Sequence, residues 1–207
     1  KLNDQPLKWD DYELSKDETK VLFSNGMEMI YRHSFKSNYF VYDMVSKKLY
    51  DISVAGKVQL CSLSPDGSKV AYVRDNNLYY WNLGANHEAM LTHDGVKNKI
   101  INGAPDWVYE EEFSFSKAYE WSPDGKKIAW MRFDESKVKE YTLTYYDSLY
   151  PRQETYKYPK AGEANSDVQV YIQNLEEGEA VKADVGNIKD QYIPRILWTA
   201  DANQLCI

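Results

Sequence analysis

Cysteine and histidine are scarce in this sequence, two and three among 207 residues. His33, His87 and His93 lie far from Cys61 and Cys206, so neither a disulfide framework nor a metal site is indicated. Both cysteines sit among apolar residues (Val58-Gln59-Leu60-Cys61 and Leu205-Cys206-Ile207) and are expected to be small buried thiols. No Lys/Arg cluster exists to track phosphates and the net charge is −7, which argues against nucleic acid as a partner. No apolar run approaches the roughly 18–20 residues that a membrane-spanning helix needs, and no signal-peptide pattern is present. There is no Asn-x-Ser/Thr sequon, no Asp-x-Asp-x-Asp-Gly calcium loop and no nucleotide or cofactor motif, so no cofactor is expected. The sequence opens on Lys1 and stops inside the strand-like run Leu205-Cys206-Ile207. It is therefore expected to be a piece of a longer chain.

What the sequence does have is a repeat. Ser15-Lys16-Asp17-Glu18-Thr19-Lys20-Val21-Leu22-Phe23 aligns with Ser64-Pro65-Asp66-Gly67-Ser68-Lys69-Val70-Ala71-Tyr72 and with Ser122-Pro123-Asp124-Gly125-Lys126-Lys127-Ile128-Ala129-Trp130. A degenerate copy runs from Thr199 to Ile207. Pro-Asp-Gly is turn chemistry, because Pro presets φ, Asp bonds its own backbone and Gly accepts a positive φ. Strands are predicted before each turn (Val58–Ser62, Tyr119–Trp121, Arg195–Trp198), directly after it, and again at Tyr39–Asp43, Leu78–Asn82 and Val168–Ile172. A fourth is predicted in the first two repeats, at Lys48–Ile52 and His87–Leu91. Four short antiparallel strands per unit is the plan of a β-propeller blade.

The units start at residues 15, 64, 122 and 199, giving spacings of 49, 58 and 77. A bare blade needs roughly 40–50 residues, so the second and third carry insertions. The expected division is 10–55, 56–116 with insertion 94–116, 117–185 with insertion 134–167, and a truncated 190–207. The fold class is all-β: about three blades and the start of a fourth, leaving open blade faces for neighbours. Tyr145, Tyr146 and Tyr150 in the third unit's insertion either line a cavity or pack the loop.

The insertion of the second unit holds Asp106-Trp107-Val108-Tyr109-Glu110-Glu111-Glu112-Phe113, three carboxylates among residues that pack. Glu is a good helix former, and a short helix is expected here. Helical residues lie about 100° apart, so two of the three carboxylates can share one ligand while the third points elsewhere. Without a third acidic ligand at metal spacing, a primary ammonium suits the pair better than a metal ion, through charge-assisted hydrogen bonds. A peptide N-terminus, with a pKa of about 7.7–8, carries that charge at neutral pH. A solvated acidic helix with no ligand is the competing reading.

Asp-Trp-Val-Tyr-Glu-Glu-Glu ahead of Trp121-Ser122-Pro123-Asp124-Gly125 resembles the dipeptidyl peptidase IV family, serine peptidases of the prolyl oligopeptidase class. Tyr31-Arg32-His33-Ser34 before Tyr39-Phe40-Val41-Tyr42-Asp43, and Tyr156-Lys157-Tyr158-Pro159-Lys160-Ala161-Gly162, are similar to segments of the same family in the same order. The resemblance implies an eight-bladed propeller over an α/β-hydrolase domain, and an enzyme that removes X-Pro or X-Ala dipeptides from free N-termini. It implies that Glu111 and Glu112 bind the substrate ammonium, that Arg32 holds the carbonyl of the first substrate residue, and that Glu110 is structural. His33 is given no role. No Gly-x-Ser-x-Gly elbow occurs in the sequence, so no catalytic residue is expected in it and it should be inactive alone. The expected partners are a peptide with a free N-terminus, the hydrolase domain and remaining blades of the parent, and a second copy in a homodimer. A bacterial parent, periplasmic or secreted, is expected. A prolyl tripeptidyl peptidase or endopeptidase, and a non-catalytic protein-binding propeller, stay open as alternatives.

Overall fold

The computed structural model describes residues 6, 8–188 and 190–207. The first sheet contains β1 (Asp11–Leu14), β2 (Lys20–Met29), β3 (Phe35–Asp43) and β4 (Leu49–Asp51), all antiparallel in that order. The second repeats it with β5 (Gln59–Leu63), β6 (Lys69–Arg74), β7 (Asn77–Asn82) and β8 (His87–Met90). The turns that open the first three units are closed the same way. Asp17, Asp66 and Asp124 accept from the hydroxyls of Ser15, Ser64 and Ser122 at 2.6, 2.5 and 2.6 Å. Gly67 and Gly125 take the left-handed position with φ of 66° and 69°, and Glu18 adopts it in the first unit with φ 57°. Glycine occupies that position without steric cost, whereas Glu18 does not.

The third sheet is more elaborate. It begins with β9 (Ile100–Asn102), is followed by a helix α1 (Trp107–Phe113), and continues with β10 (Tyr119–Trp121) and β11 (Lys127–Asp134). A separate hairpin, β12 (Glu140–Tyr145) and β13 (Arg152–Lys157), precedes β14 (Asp167–Asn174) and β15 (Val181–Lys182). The order is β10-β11-β14-β15, and β9 extends the line of β10 by pairing with the far half of β11 (Ile100↔Asp134, Asn102↔Arg132). The expected division after residue 116 thus falls inside one sheet. After β8 the chain is held to both neighbours at once: Asn102 N donates to Asn76 O at 3.0 Å and Gly103 N to Met131 O at 3.0 Å. A fourth unit shows β16 (Leu197–Trp198) paired with β17 (Leu205–Cys206).

Strand side chains point alternately to the two faces of a sheet, and the second sheet buries apolar residues on both, against the first sheet and against the third. Leu22, Val41 and Ile52 of the first sheet pack with Val70, Tyr72 and Leu83 of the second. Ala71, Val73 and Leu78 of the second pack with Tyr119, Ile128 and Phe133 of the third. Polar links repeat across the same steps. Lys69 Nζ donates to Gly125 O in the next unit's turn at 3.4 Å. Lys127 Nζ reaches Ala202 O at 3.0 Å and Asn203 Oδ1 at 2.6 Å one unit further on. The Tyr119 hydroxyl crosses back to Ala71 O at 3.0 Å.

Cys61 is half-buried, packed against the core shared by the first two sheets, and desolvation pushes its thiol pKa well up. Cys206 is exposed, contrary to the expectation of two buried thiols. Its sheet has two described strands, and on β17 it is Leu205 that packs against the core. The hairpin β12–β13 projects from the third sheet with Tyr146, Leu149 and Tyr150 exposed at its tip, so Tyr146 and Tyr150 neither line a cavity nor pack the loop. Tyr145 lies beneath the Arg152 guanidinium, 4.1 Å from its ring centre.

Candidate functional site

Helix α1 exists because Asp106 caps it. Asp106 is extended (φ −75°, ψ 178°), and its Oδ1 accepts from Tyr109 N at 3.0 Å. An Asp at this position satisfies one of the donors that a helix start leaves free. Its second oxygen accepts from the Ser166 hydroxyl at 2.6 Å. Burial pushes the Asp106 carboxyl above the usual carboxylate range, against the opposing pull of Ser166 and the helix N–H groups. Tyr109 anchors the other side: its hydroxyl accepts from Ile193 N at 2.9 Å, and burial raises its pKa to about 12. The helix ends at Ser114, in the left-handed conformation with φ 55°.

The three glutamates of α1 take three environments, as the helical step requires. Glu110 is 1% exposed, and its Oε1 accepts from His33 N at 2.8 Å and Ser34 N at 2.9 Å. Its Oε2 is buried without a hydrogen-bond partner among the described residues. Glu110 therefore ties the helix to the turn between β2 and β3, which closes on itself through Ile30 N to Ser34 O at 2.8 Å. Glu111 faces Arg32 on that turn, with Nε to Oε1 at 3.5 Å. The Arg32 side chain is 73% exposed and that of Glu111 only 17%. Glu112 is exposed and has no ion-pair partner among the described residues. Of the residues singled out from sequence, Arg32 and Glu111 are thus brought together, and Glu112 sits one helical step away, free to meet something that arrives from solvent.

Aromatic rings brace the site from the hairpin side. Trp107, the first residue of α1, stands 4.2 Å from Tyr158 between ring centres, and Tyr31, next to Arg32, stands 5.7 Å from Tyr156. The sequence reading passed over Asp106, Ser166 and Glu135, a buried carboxyl just after β11. Asp ahead of a short helix was a readable cap signal. The burial of Glu135 follows from long-range packing, and no local pattern marks it.

Three blades and the start of a fourth, with a carboxylate-bearing helix in an insertion, make this chain part of a β-propeller. Residues 15–207 match the family described as the dipeptidyl peptidase IV N-terminal region. Dipeptidyl aminopeptidase B of Saccharomyces cerevisiae is 34% identical, over 98% of this chain and 26% of its own length. A probable dipeptidyl-aminopeptidase B of Phaeosphaeria nodorum is 34% identical, over 93% of this chain and 23% of its own. The crystal structure of Porphyromonas gingivalis dipeptidyl peptidase 4 superposes with a TM-score of 0.91 at 40% identity, over 98% of this chain and 29% of that one. The chain belongs to the dipeptidyl peptidase IV N-terminal region family. It spans about a quarter of the length of the curated relatives it matches.

Proposed function

We propose that this chain is the substrate-anchoring part of a serine dipeptidyl peptidase that removes X-Pro and X-Ala dipeptides. Glu111 and Glu112 bind the substrate's N-terminal ammonium, and Arg32 holds the carbonyl of the first residue through its planar donor fork. The observation that carries this reading is the meeting of Arg32 and Glu111 across two units, with Glu110 bonding their two segments together and Glu112 left exposed beside them.

In this reading the ammonium can go no further than the carboxylates, so the scissile bond lies two residues in. The nucleophile, its base and the base's orienter come from the remainder of the parent, since the sequence holds no Gly-x-Ser-x-Gly elbow. Contacts far from the reacting carbonyl lower the barrier by fixing its position. The 207-residue chain alone should bind without cleaving. Cleavage of di-, tri- and N-acetylated peptides by the full-length protein tests the reading: dipeptide release that requires a free N-terminus supports it. Release of tripeptides, or indifference to acetylation, contradicts it.

A further inference from the structure

Glu111 and Glu112 sit at the C-terminal end of α1, where a helix supports negative charge least. The carbonyls left there without intrahelical partners repel carboxylates and draw cations. The last four residues, Glu110–Phe113, include three glutamates and no basic side chain. The helix then stops at Ser114, so no further turn stiffens it. Glu111 has Arg32 beside it, but Glu112 has no ion-pair partner among the described residues. The direction of Glu112 therefore rests on the backbone of that last turn.

The missing cation comes from a distant part of the chain. In segment 190–196, which leads from the third sheet to β16, Arg195 Nη2 donates to Phe113 O at 2.7 Å. That is the carbonyl of the residue after Glu112, and one of the four that a helix end leaves free. Arg195 is itself held: Nη1 donates to Pro194 O at 2.6 Å, and the guanidinium stands 5.0 Å from the Phe115 ring centre. A planar fork over an aromatic ring has little freedom to turn away. The segment is fastened on both sides of Arg195. Before it, Ile193 is 4% exposed and donates its N–H to the Tyr109 hydroxyl at 2.9 Å. The Tyr192 ring stands 5.3 Å from Phe113, and its hydroxyl accepts from Asn165 Nδ2 at 2.7 Å. After it, Trp198 Nε1 donates to Glu120 O on β10 at 3.1 Å.

Glu110 thus fixes the middle of α1 to the Arg32 turn, and Arg195 fixes its end. We propose that Arg195 is a positioning residue of the ammonium anchor: by donating to Phe113 O it holds the last turn of α1 and so aims Glu112 beside Glu111. This rests on the anchoring role proposed above. Arg195 acts through Glu112, so its effect on turnover requires the Glu112 carboxylate. A side chain that only stabilised the fold would act equally with or without it.

The experiment is a double-mutant cycle on kcat/KM for a Gly-Pro reporter in the full-length protein, with Arg195→Met, Glu112→Ala and the two combined. Methionine keeps an unbranched stem against Phe115 but has neither charge nor N–H donors. Arg195→Met alone should lower kcat/KM about fivefold through KM, with kcat within about twofold of wild type. In the Glu112→Ala background the same substitution should change kcat/KM by less than about twofold, because no carboxylate is left to aim. Arg195→Lys, which keeps a charged donor for Phe113 O, should stay within about twofold of wild type. Arg195→Gln, uncharged and shorter than arginine, repeats the cycle with a second side chain, and urea midpoints establish which variants fold. Equal losses in both backgrounds, no loss in either, or a Lys variant as impaired as the Met variant overturns this proposal and leaves the anchor in place. Wild-type kcat/KM in Glu112→Ala overturns the anchoring role of Glu112 and this proposal with it.

Discussion

Arg32 and Glu111 pair between two segments that the chain brings together from different sheets, Nε to Oε1 at 3.5 Å. The guanidinium is largely in solvent, the carboxylate largely covered, and the buried Glu110 stitches the two segments just behind them. A pair so unevenly exposed can open towards a ligand without disturbing its support.

Glu111→Ala or Glu112→Ala in the full-length protein should lower kcat/KM for free-N-terminus dipeptide substrates by about 10- to 100-fold. That is the range of a charged hydrogen bond, about 1.5–3 kcal/mol. Steady-state kinetics on free and acetylated reporters measure it, and wild-type values in both variants would remove the anchor from these residues.

Arg32→Lys separates charge from geometry. Lysine keeps the positive charge but lacks the planar fork. KM should rise for free peptides while stability changes by less than about 1 kcal/mol, since exposed ion pairs contribute about that much or less. Kinetics together with urea unfolding measure both; an unchanged KM would leave Arg32 without a role in substrate binding.

Glu110→Ala should destabilise the protein by about 1–3 kcal/mol, because the His33 and Ser34 N–H groups lose their acceptor. Glu110→Gln, which retains an acceptor oxygen, should lose less. Urea midpoints of the two variants show the difference, and equal midpoints would mean that the tie between α1 and the turn carries no stability.

Lys127→Met keeps the aliphatic stem but removes the bonds to Ala202 O and Asn203 Oδ1. A loss of about 0.5–1.5 kcal/mol is expected, together with earlier proteolytic cutting in the 199–204 turn. Proteolysis at an unchanged rate would show that this lysine does not fasten the step between units.

The repeat was legible because turn chemistry is local. Ser-Pro-Asp-Gly requires the same backbone wherever it falls, and Tyr119–Trp121 forms the strand predicted for it. The helix was legible too, from Glu propensity within a packed run. What stayed hidden depends on where distant strands meet. Ile100–Asn102 joins the third sheet because β11 is longer than β10 and offers an unpaired half. Val181–Lys182 is two residues long and lacks alternation. Glu135 resembles any polar residue after a strand, and its burial has no local signal. The family resemblance implied substrate-binding roles for Arg32 and Glu111, and neither it nor residue spacing gave sign of the ion pair between them.

The most direct measurement is release of a dipeptide from a Gly-Pro reporter by the full-length protein, with and without an N-terminal acetyl group. Cleavage of the free peptide and silence on the acetylated one are what the proposed reading of the ammonium by the α1 carboxylates predicts. Equal cleavage of both would contradict the account and leave Glu111 and Glu112 as solvated charges on a short helix.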